Sequence, residues 1–561
     1  MRRFYHFIVW AVACLALSTI TSTRADNLTS TKTTQSQTDK ARQFTISDGH
    51  SGRYLGSSSA KVIGCVPGSA PDSVRGLTVG CTFHDLQKYG SMGRQIANSP
   101  LGGFNLINFS WTNQDNISAT GGRNVRYESY DPLVGLLGDK TGGVDIGPSL
   151  IPPDRSGFVT LAGVFDGTVI AAYHWNNNFG VPGSRFKPFV AQNRTPGLGD
   201  FVNREVDSLI SDTICHFGPC STANYIWPQL AYTEPIAGPK VRHLILSLDQ
   251  TGLGNANYVR SVADSVWEYT APIKHLGYFR SPVIAASNQS RRVGIAFSAG
   301  RGDQTPLGGS IDRFNGELSG KNDNDIYVMT SEDAGATWTG PLNITLRDIP
   351  EAGDWAPHAK LSVLFDSSDV FHVVWQAVQW PDSAFTTRSR MFHWDEATSA
   401  VRTAVDANWD PILCDGGENT LNIDNPQLSA CGGKLYLTFT QYAPVPLGRG
   451  DDCAARAFSG DGAGAANGDI YLTVSSNSGF NWDAPRNLTN TYTPQCDTSS
   501  GPPLPDCDSD VWHSVIRYGI DVTGQDFFAV TDLTANIDPS YAGSEFLVAQ
   551  YINDGDPGAA I

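Results

Sequence analysis

One segment of this chain is written twice with the same internal spacing. Asp325-Ile326-Tyr327, Ser331-x-Asp333-x-Gly335-x-x-Trp338 and Pro341-x-Asn343-x-Thr345 return as Asp469-Ile470-Tyr471, Ser475-x-Asn477-x-Gly479-x-x-Trp482 and Pro485-x-Asn487-x-Thr489. A repeat of this length is one supersecondary unit whose apolar surface can be buried only against a neighbour, so the chain folds as an array. The alternation in Ile326-Tyr327-Val328-Met329 and Ile470-Tyr471-Leu472-Thr473 reads as a strand, and the polar cluster that follows reads as a turn. Each copy is therefore a hairpin. Its glycine takes a positive φ, its Ser and Asp or Asn oxygens accept backbone N–H groups, and its Trp opens the return strand with a large ring to bury. Asn343 and Asn487 also begin N-x-Thr glycosylation triplets, but their place in the repeat gives them a strand role.

Composition narrows the class. With 13 Trp, 57 Gly and 32 Pro and few amphipathic helical patterns, the chain reads as all-β. Its net charge of −17 argues against nucleic acid and anionic membrane as partners. Residues 1–25 carry Arg2 and Arg3, an apolar stretch from Phe7 to Leu17, and Thr23-Arg24-Ala25, the pattern of a signal peptide. The expected location is secreted, cell-surface or periplasmic, without membrane insertion. Residues 26–50 are a Thr- and Ser-rich lead expected to be disordered, residues 51–100 a small disulfide-containing cap or extension, and residues 101–561 the main domain. In an exported chain the cysteines suit disulfides, with Cys65–Cys81, Cys215–Cys220 and Cys414–Cys431 as local pairs and Cys453, Cys496 and Cys507 competing. No zinc-type spacing is present, and no cofactor is expected. Asp506-x-Asp508-x-Asp510 and Asn322 to Asp325 offer oxygens for a structural Ca²⁺, although solvated turns explain both more simply.

The Ser-x-Asp-x-Gly-x-x-Trp pattern resembles the Asp-box of the sialidase (neuraminidase) superfamily and its BNR-repeat relatives. That resemblance implies a β-propeller in which the box lies in an outer hairpin, away from the catalytic end, which makes Asp333 structural. Apolar strands introduced by Pro or an aromatic residue mark six unit starts, near Phe158, Trp227, Pro282, Pro357, Pro426 and Trp512. The expectation is a six-bladed β-propeller, with seven blades if Phe104 to Trp111 starts its own unit. Asn124 to Glu128 is expected to be the N-terminal strand that closes the ring.

Ligands of such folds meet the channel mouth, so residues beside the unit starts are the first candidates: Trp227, Gln229, Arg280, His358, Gln427, Trp512 and His513. Aromatic faces with amides and imidazoles suit sugar rings. Tyr278-Phe279-Arg280-Ser281-Pro282, followed by Gly300-Arg301-Gly302-Asp303 and then the first box, resembles the sialidase order. The resemblance implies that Arg280 grips a substrate carboxylate, Arg301 supports it and Asp303 is the acid/base. Arg517-Tyr518 would then supply a later arginine and the nucleophilic tyrosine. The first reading is a secreted glycan-binding propeller. The alternative is an exo-α-sialidase, and a second alternative is a protein-binding or adhesion propeller using Arg301-Gly302-Asp303.

Overall fold

The computed structural model describes residues between 79 and 560, apart from connections of which the longest are 207–223, 301–323, 410–420, 494–509 and 522–544. All regular structure among the described residues is β. Two sheets have four antiparallel strands in simple order: Trp355–Phe365, Phe371–Gln379, Ser389–Asp395 and Val401–Ala407, then Ile423–Cys431, Lys434–Tyr442, Gly468–Ser475 and Arg486–Asn487. Two larger sheets are pairs of such units. Asn224–Thr233 to Val266–Leu276 joins the unit Val283–Ala286 to Thr339–Asn343 through the single pair Leu276–Ala299. Ile96–Leu101 to Arg123–Asp131 joins the unit Arg155–Gly163 to Phe201–Glu205 through the single parallel pair Arg123–Arg155.

Packing explains why the units recur. Each apolar cluster lies between two consecutive units: Leu161 with Val125, Ala172 with Leu244, Ala231 with Phe297, Val328 with Val373, and Leu364 with Leu437. A central sheet thus buries both faces, and its first two strands lose the polar alternation of a one-sided sheet. Phe371–Gln379 is buried at every position but the last. Sheets that face one another in succession, with the first strand of each innermost, form a propeller-like arrangement.

The first and last described strands meet in one sheet. Cys81–Thr82 pairs with Gly558–Ala560, which continues through Ala549–Gly555 to Asp510–Val515. Residues 124–128, expected to be that closing strand, instead pair with Phe104–Gln114 inside their own unit. The reason is local: Phe104–Gln114 and Arg123–Asp131 are long adjacent strands with eight paired positions, from Ile107–Tyr130 to Gln114–Arg123. Cys65, Cys215, Cys220, Cys414, Cys496 and Cys507 and the leader lie outside the described residues.

The two copies of the repeat share their turn bonds. Ser331 Oγ donates to Asp333 Oδ1 (2.9 Å) and accepts from Gly335 N (2.8 Å), while Asp333 Oδ1 accepts from Thr337 N (2.8 Å). In the second copy Ser475 Oγ accepts from Gly479 N (2.8 Å) and Asn477 Oδ1 from Asn481 N (2.9 Å). Gly335 and Gly479 have φ of 76° and 82°. A Cβ there would stand 1.8 Å from the Tyr258 hydroxyl and 2.0 Å from the His393 ring, both on the preceding unit. Trp338 and Trp482 meet the same two rings edge-on, at 4.8 and 5.6 Å. The glycine and tryptophan therefore lock one unit to the next. Asp325 accepts from Asn343 Nδ2 (3.0 Å) and Thr345 Oγ1 (2.6 Å), and Asp469 accepts from Asn487 Nδ2 (2.7 Å) and Thr489 Oγ1 (3.1 Å).

Candidate functional site

Four innermost strands carry the same one-residue bulge. The register slips between Gly157 and Thr160, Ile226 and Gln229, Asp424 and Gln427, and Val511 and Ser514, and a wider irregularity separates Pro357 from Leu361. These are the places the sequence marks as unit starts. Phe158, Trp227 and Asn425 sit there with φ of 53°, 50° and 54°. Non-glycine residues in this region cost about 1–2 kcal/mol each, and such strain persists only where surroundings hold it. Here Phe158 N donates to Thr112 Oγ1 (2.8 Å), Trp227 N to His174 Nδ1 (3.3 Å) and Asn425 N to Asp424 Oδ1 (2.9 Å). Pro228 and Pro426 follow directly, since a bulge is one of the few sheet positions that tolerates a missing donor.

The bulges divide the channel into two ends. The repeat turns and the short turns after the innermost strands are at one end. The other end receives the longer connections, including Leu276 to Val283 and Gly300 to Asn324. Arg280, Arg301 and Asp303 belong to those connections and lie outside the described residues. Trp512 is in strand Asp510–Val515, but its side chain is likewise outside.

The remaining mouth candidates lie along the inner strands and are buried. Trp227 packs with Phe158, Phe186 and Ile226. Gln229 Nε2 donates to Ser91 O. His358 Nδ1 is 3.3 Å from Gln376 Oε1, and His513 Nδ1 is 3.4 Å from Thr440 Oγ1. Lys360 and Asp424 form a buried ion pair (2.5 Å), and Gln376 Nε2 donates to Asp424 Oδ1 (2.9 Å). Arg123 lies over the Phe158 ring at 5.3 Å, and its Nη2 is 3.4 Å from His174 Nε2. Burial and the Arg123 charge hold His174 well below the usual imidazole range, so it stays neutral. Two buried polar atoms lie on one bulged strand. Asn425 Nδ2 and Gln427 Oε1 are buried and have no hydrogen-bond partner among the described residues. Gln427 is legible as a candidate in the sequence. Asn425, beside Pro426, is not among the sequence candidates, and its positive φ at the bulge is not legible from strand alternation.

A segment before the first inner strand crosses the hub. Ser91 Oγ accepts from Leu361 N, its carbonyl accepts from Gln229 Nε2, and Leu161 N donates to Arg94 O (2.6 Å). Arg94 donates to Val515 O (2.7 Å) and to Leu428 O.

Arg517 and Tyr518 fall at the other end, separated from the mouth candidates. With Arg94 they line a cavity of about 290 Å³ beside the turns at Phe165, Glu234 and Ser287. A second cavity of about 240 Å³ shares Tyr518 and Asn288 and reaches Ser478 of the second repeat. Tyr518 Oη donates to Phe365 O (3.0 Å), and burial pushes its phenol up to about 12. Among the described residues no three His, Cys, Asp or Glu side chains are grouped to hold a metal. Asp325 and Asp510, from the two acidic runs, accept from Thr345 and Thr491 instead.

No known protein family and no curated protein matches the chain. Among solved structures it is similar to an ulvan lyase of polysaccharide lyase family PL25, with TM-score 0.42 and 9% identity over 79% of this chain and 89% of that one. A Hadza microbial sialidase, Hz136, gives 0.33 and 12% over 66% and 67%. A mutant Trypanosoma rangeli sialidase displaying trans-sialidase activity gives 0.36 and 9% over 67% and 58%.

Proposed function

We propose that the chain is an exported, seven-bladed β-propeller that binds carbohydrate at the end of its channel where the longer connections emerge. Support for the ring comes from the innermost strands, which neighbour one another in chain order from Ile96–Leu101 to Asp510–Val515, the last returning to the first. Cys81–Thr82 would be the outer strand of the last blade, tying the N-terminal part of the described chain to its C-terminal strands.

The observation that carries the binding reading is the pair Asn425 Nδ2 and Gln427 Oε1, a donor and an acceptor two residues apart on a strained bulge. A buried polar group left unbonded costs about 1–3 kcal/mol, so an unfilled pair of this kind marks a place where a ligand completes the bonding. Vicinal sugar hydroxyls each donate and accept, which matches an adjacent amide donor and acceptor. The test is a glycan array followed by titration calorimetry of the best ligand. Asn425→Ala and Gln427→Leu are each expected to weaken binding about tenfold, and unchanged affinity in both would remove the site.

Exo-sialidase hydrolysis is the second reading. It is favoured by Arg280, Arg301 and Asp303 all belonging to connections that issue from this mouth. Tyr518, at the far end, would not be its nucleophile. A fluorogenic sialoside separates the two: turnover by the wild type that is lost in Arg280→Ala and Asp303→Ala supports hydrolysis, and no turnover in any of them supports binding alone.

A further inference from the structure

We infer that the cavity lined by Arg94, Arg517 and Tyr518 is a second ligand site, specific for an oxyanion and independent of the carbohydrate site at the opposite mouth. Its ligand is a carboxylate or sulfate group, either free or carried on an acidic monosaccharide.

Two guanidinium groups face one cavity, and they are held differently. Arg94, only 7% exposed, donates to main-chain carbonyls of two inner strands, Val515 O (2.7 Å) and Leu428 O, which fixes the plane of its fork. Arg517 makes one long bond, from Nη1 to Ala286 O (3.4 Å), and its buried Nε has no partner among the described residues. The charges that act on Arg94 are those of Arg517 and Tyr518, and the one that acts on Arg517 is that of Tyr518, with no carboxylate in either set. Glu234, the acid on the cavity wall, is engaged by Lys240 and by Phe165 N (2.8 Å). The cavity therefore concentrates positive charge that the described residues leave uncompensated.

Like charges in a desolvated site repel. Burial and the neighbouring Arg517 hold Arg94 below the usual arginine range, which is the expected signature of a cation pair awaiting an anion. An oxyanion entering between them would satisfy Arg517 Nε and relieve the repulsion at once. Arginine suits this task because its planar fork meets two oxygens in parallel. The remaining wall is mixed: Asn98, Ser287 and Asn288 are polar, while Leu161, Tyr232 and the 56%-exposed Phe165 offer faces to the C–H groups of a sugar ring. At about 290 Å³ the space stands at the lower edge of ligand pockets, enough for one monosaccharide and not for a chain. The bulges and the Ser91 to Arg94 segment stand between this site and the other mouth.

The experiment is calorimetric and thermal-shift titration of the full chain with sodium sulfate, glucuronic acid and glucose at constant ionic strength. Saturable binding of sulfate and glucuronic acid, with none for glucose, is expected. Tighter binding of glucuronic acid than of sulfate assigns the anion to a saccharide, and the reverse order assigns it to a free oxyanion. Arg517→Gln is expected to lose about tenfold or more in affinity for either anion. Arg517→Lys, which keeps the charge and loses the fork, should retain part of it and carries the test if the glutamine variant does not fold. Absence of saturable binding by both anions, or wild-type affinity in Arg517→Gln, overturns the proposal.

Discussion

The two ends of the channel are built on different principles. At the turn-bearing end, connections such as Gly163 to Val169, Phe365 to Phe371 and Cys431 to Lys434 are short and bonded in place. Asp366 Oδ1 accepts from Ser368 N (2.8 Å) and Val370 N (2.9 Å), and Asp166 Oδ1 accepts from Thr168 N (2.9 Å). At the other end the connections Gly300 to Asn324, Gln379 to Ser389 and Tyr442 to Gly468 are long, and the inner strands bulge with strained residues and unfilled amides. Short local bonds shape the turns of the first end, whereas at the second the bulges leave two amides of one strand unfilled. Loops carried on a rigid scaffold are where binding residues concentrate, and a bulge beside them re-aims side chains.

The largest expected effect cuts across both ends. His174 near the long connections is held well below the usual range, and burial lowers His243 and His393, beside the turns, to about 3. Because the folded values are depressed, the unfolded chain binds more protons than the folded one below about pH 6.5. Stability is then complete above that pH and falls as pH drops toward 3, by about 4 kcal/mol per pH unit if all three act together. Urea unfolding at pH 7, 6 and 5 reads this slope, and a flat profile would mean the imidazoles are not buried.

Next is the hub. Lys360→Met leaves Asp424 charged and buried, at an expected cost of about 3–5 kcal/mol, while Lys360→Met with Asp424→Leu should recover most of it. Equal losses in the single and double variants would show that the pair is not a buried one. Gly335→Ala follows, at about 2–4 kcal/mol, because its Cβ would collide with Tyr258 and its φ disfavours a side chain. A neutral result would place the turn away from the preceding unit. Asp333→Ala is the smallest. It removes an acceptor from Thr337 N in a solvent-facing turn, an expected loss of about 1 kcal/mol in the same assay.

This contrast also explains what the sequence reveals. The hairpin at Ser331 to Trp338 can be read residue by residue, because every bond it makes inside the turn is between neighbours in the chain. The bulges can be located, since Pro228 and Pro426 betray a break in the ladder, but not their consequence for Asn425. Arg94 carries no readable signal. Its partners Leu428 and Val515 lie 334 and 421 residues away in the chain and come beside it only through the tertiary fold. Cys81–Thr82 is too short to show a period, so a longer run at Asn124 to Glu128 takes its place in the reading. Arg517-Tyr518 is visible as a pair, yet which end it occupies depends on strand direction after the bulge at Val511.

The central claim is that the primary carbohydrate site lies at the bulged mouth and not at the repeat turns. Its most direct measurement is the affinity of the best array glycan for Gln427→Leu beside Asp333→Ala, with both variants confirmed folded. The account predicts about a tenfold loss in the first and wild-type affinity in the second. Wild-type affinity in the first together with a loss in the second would contradict it.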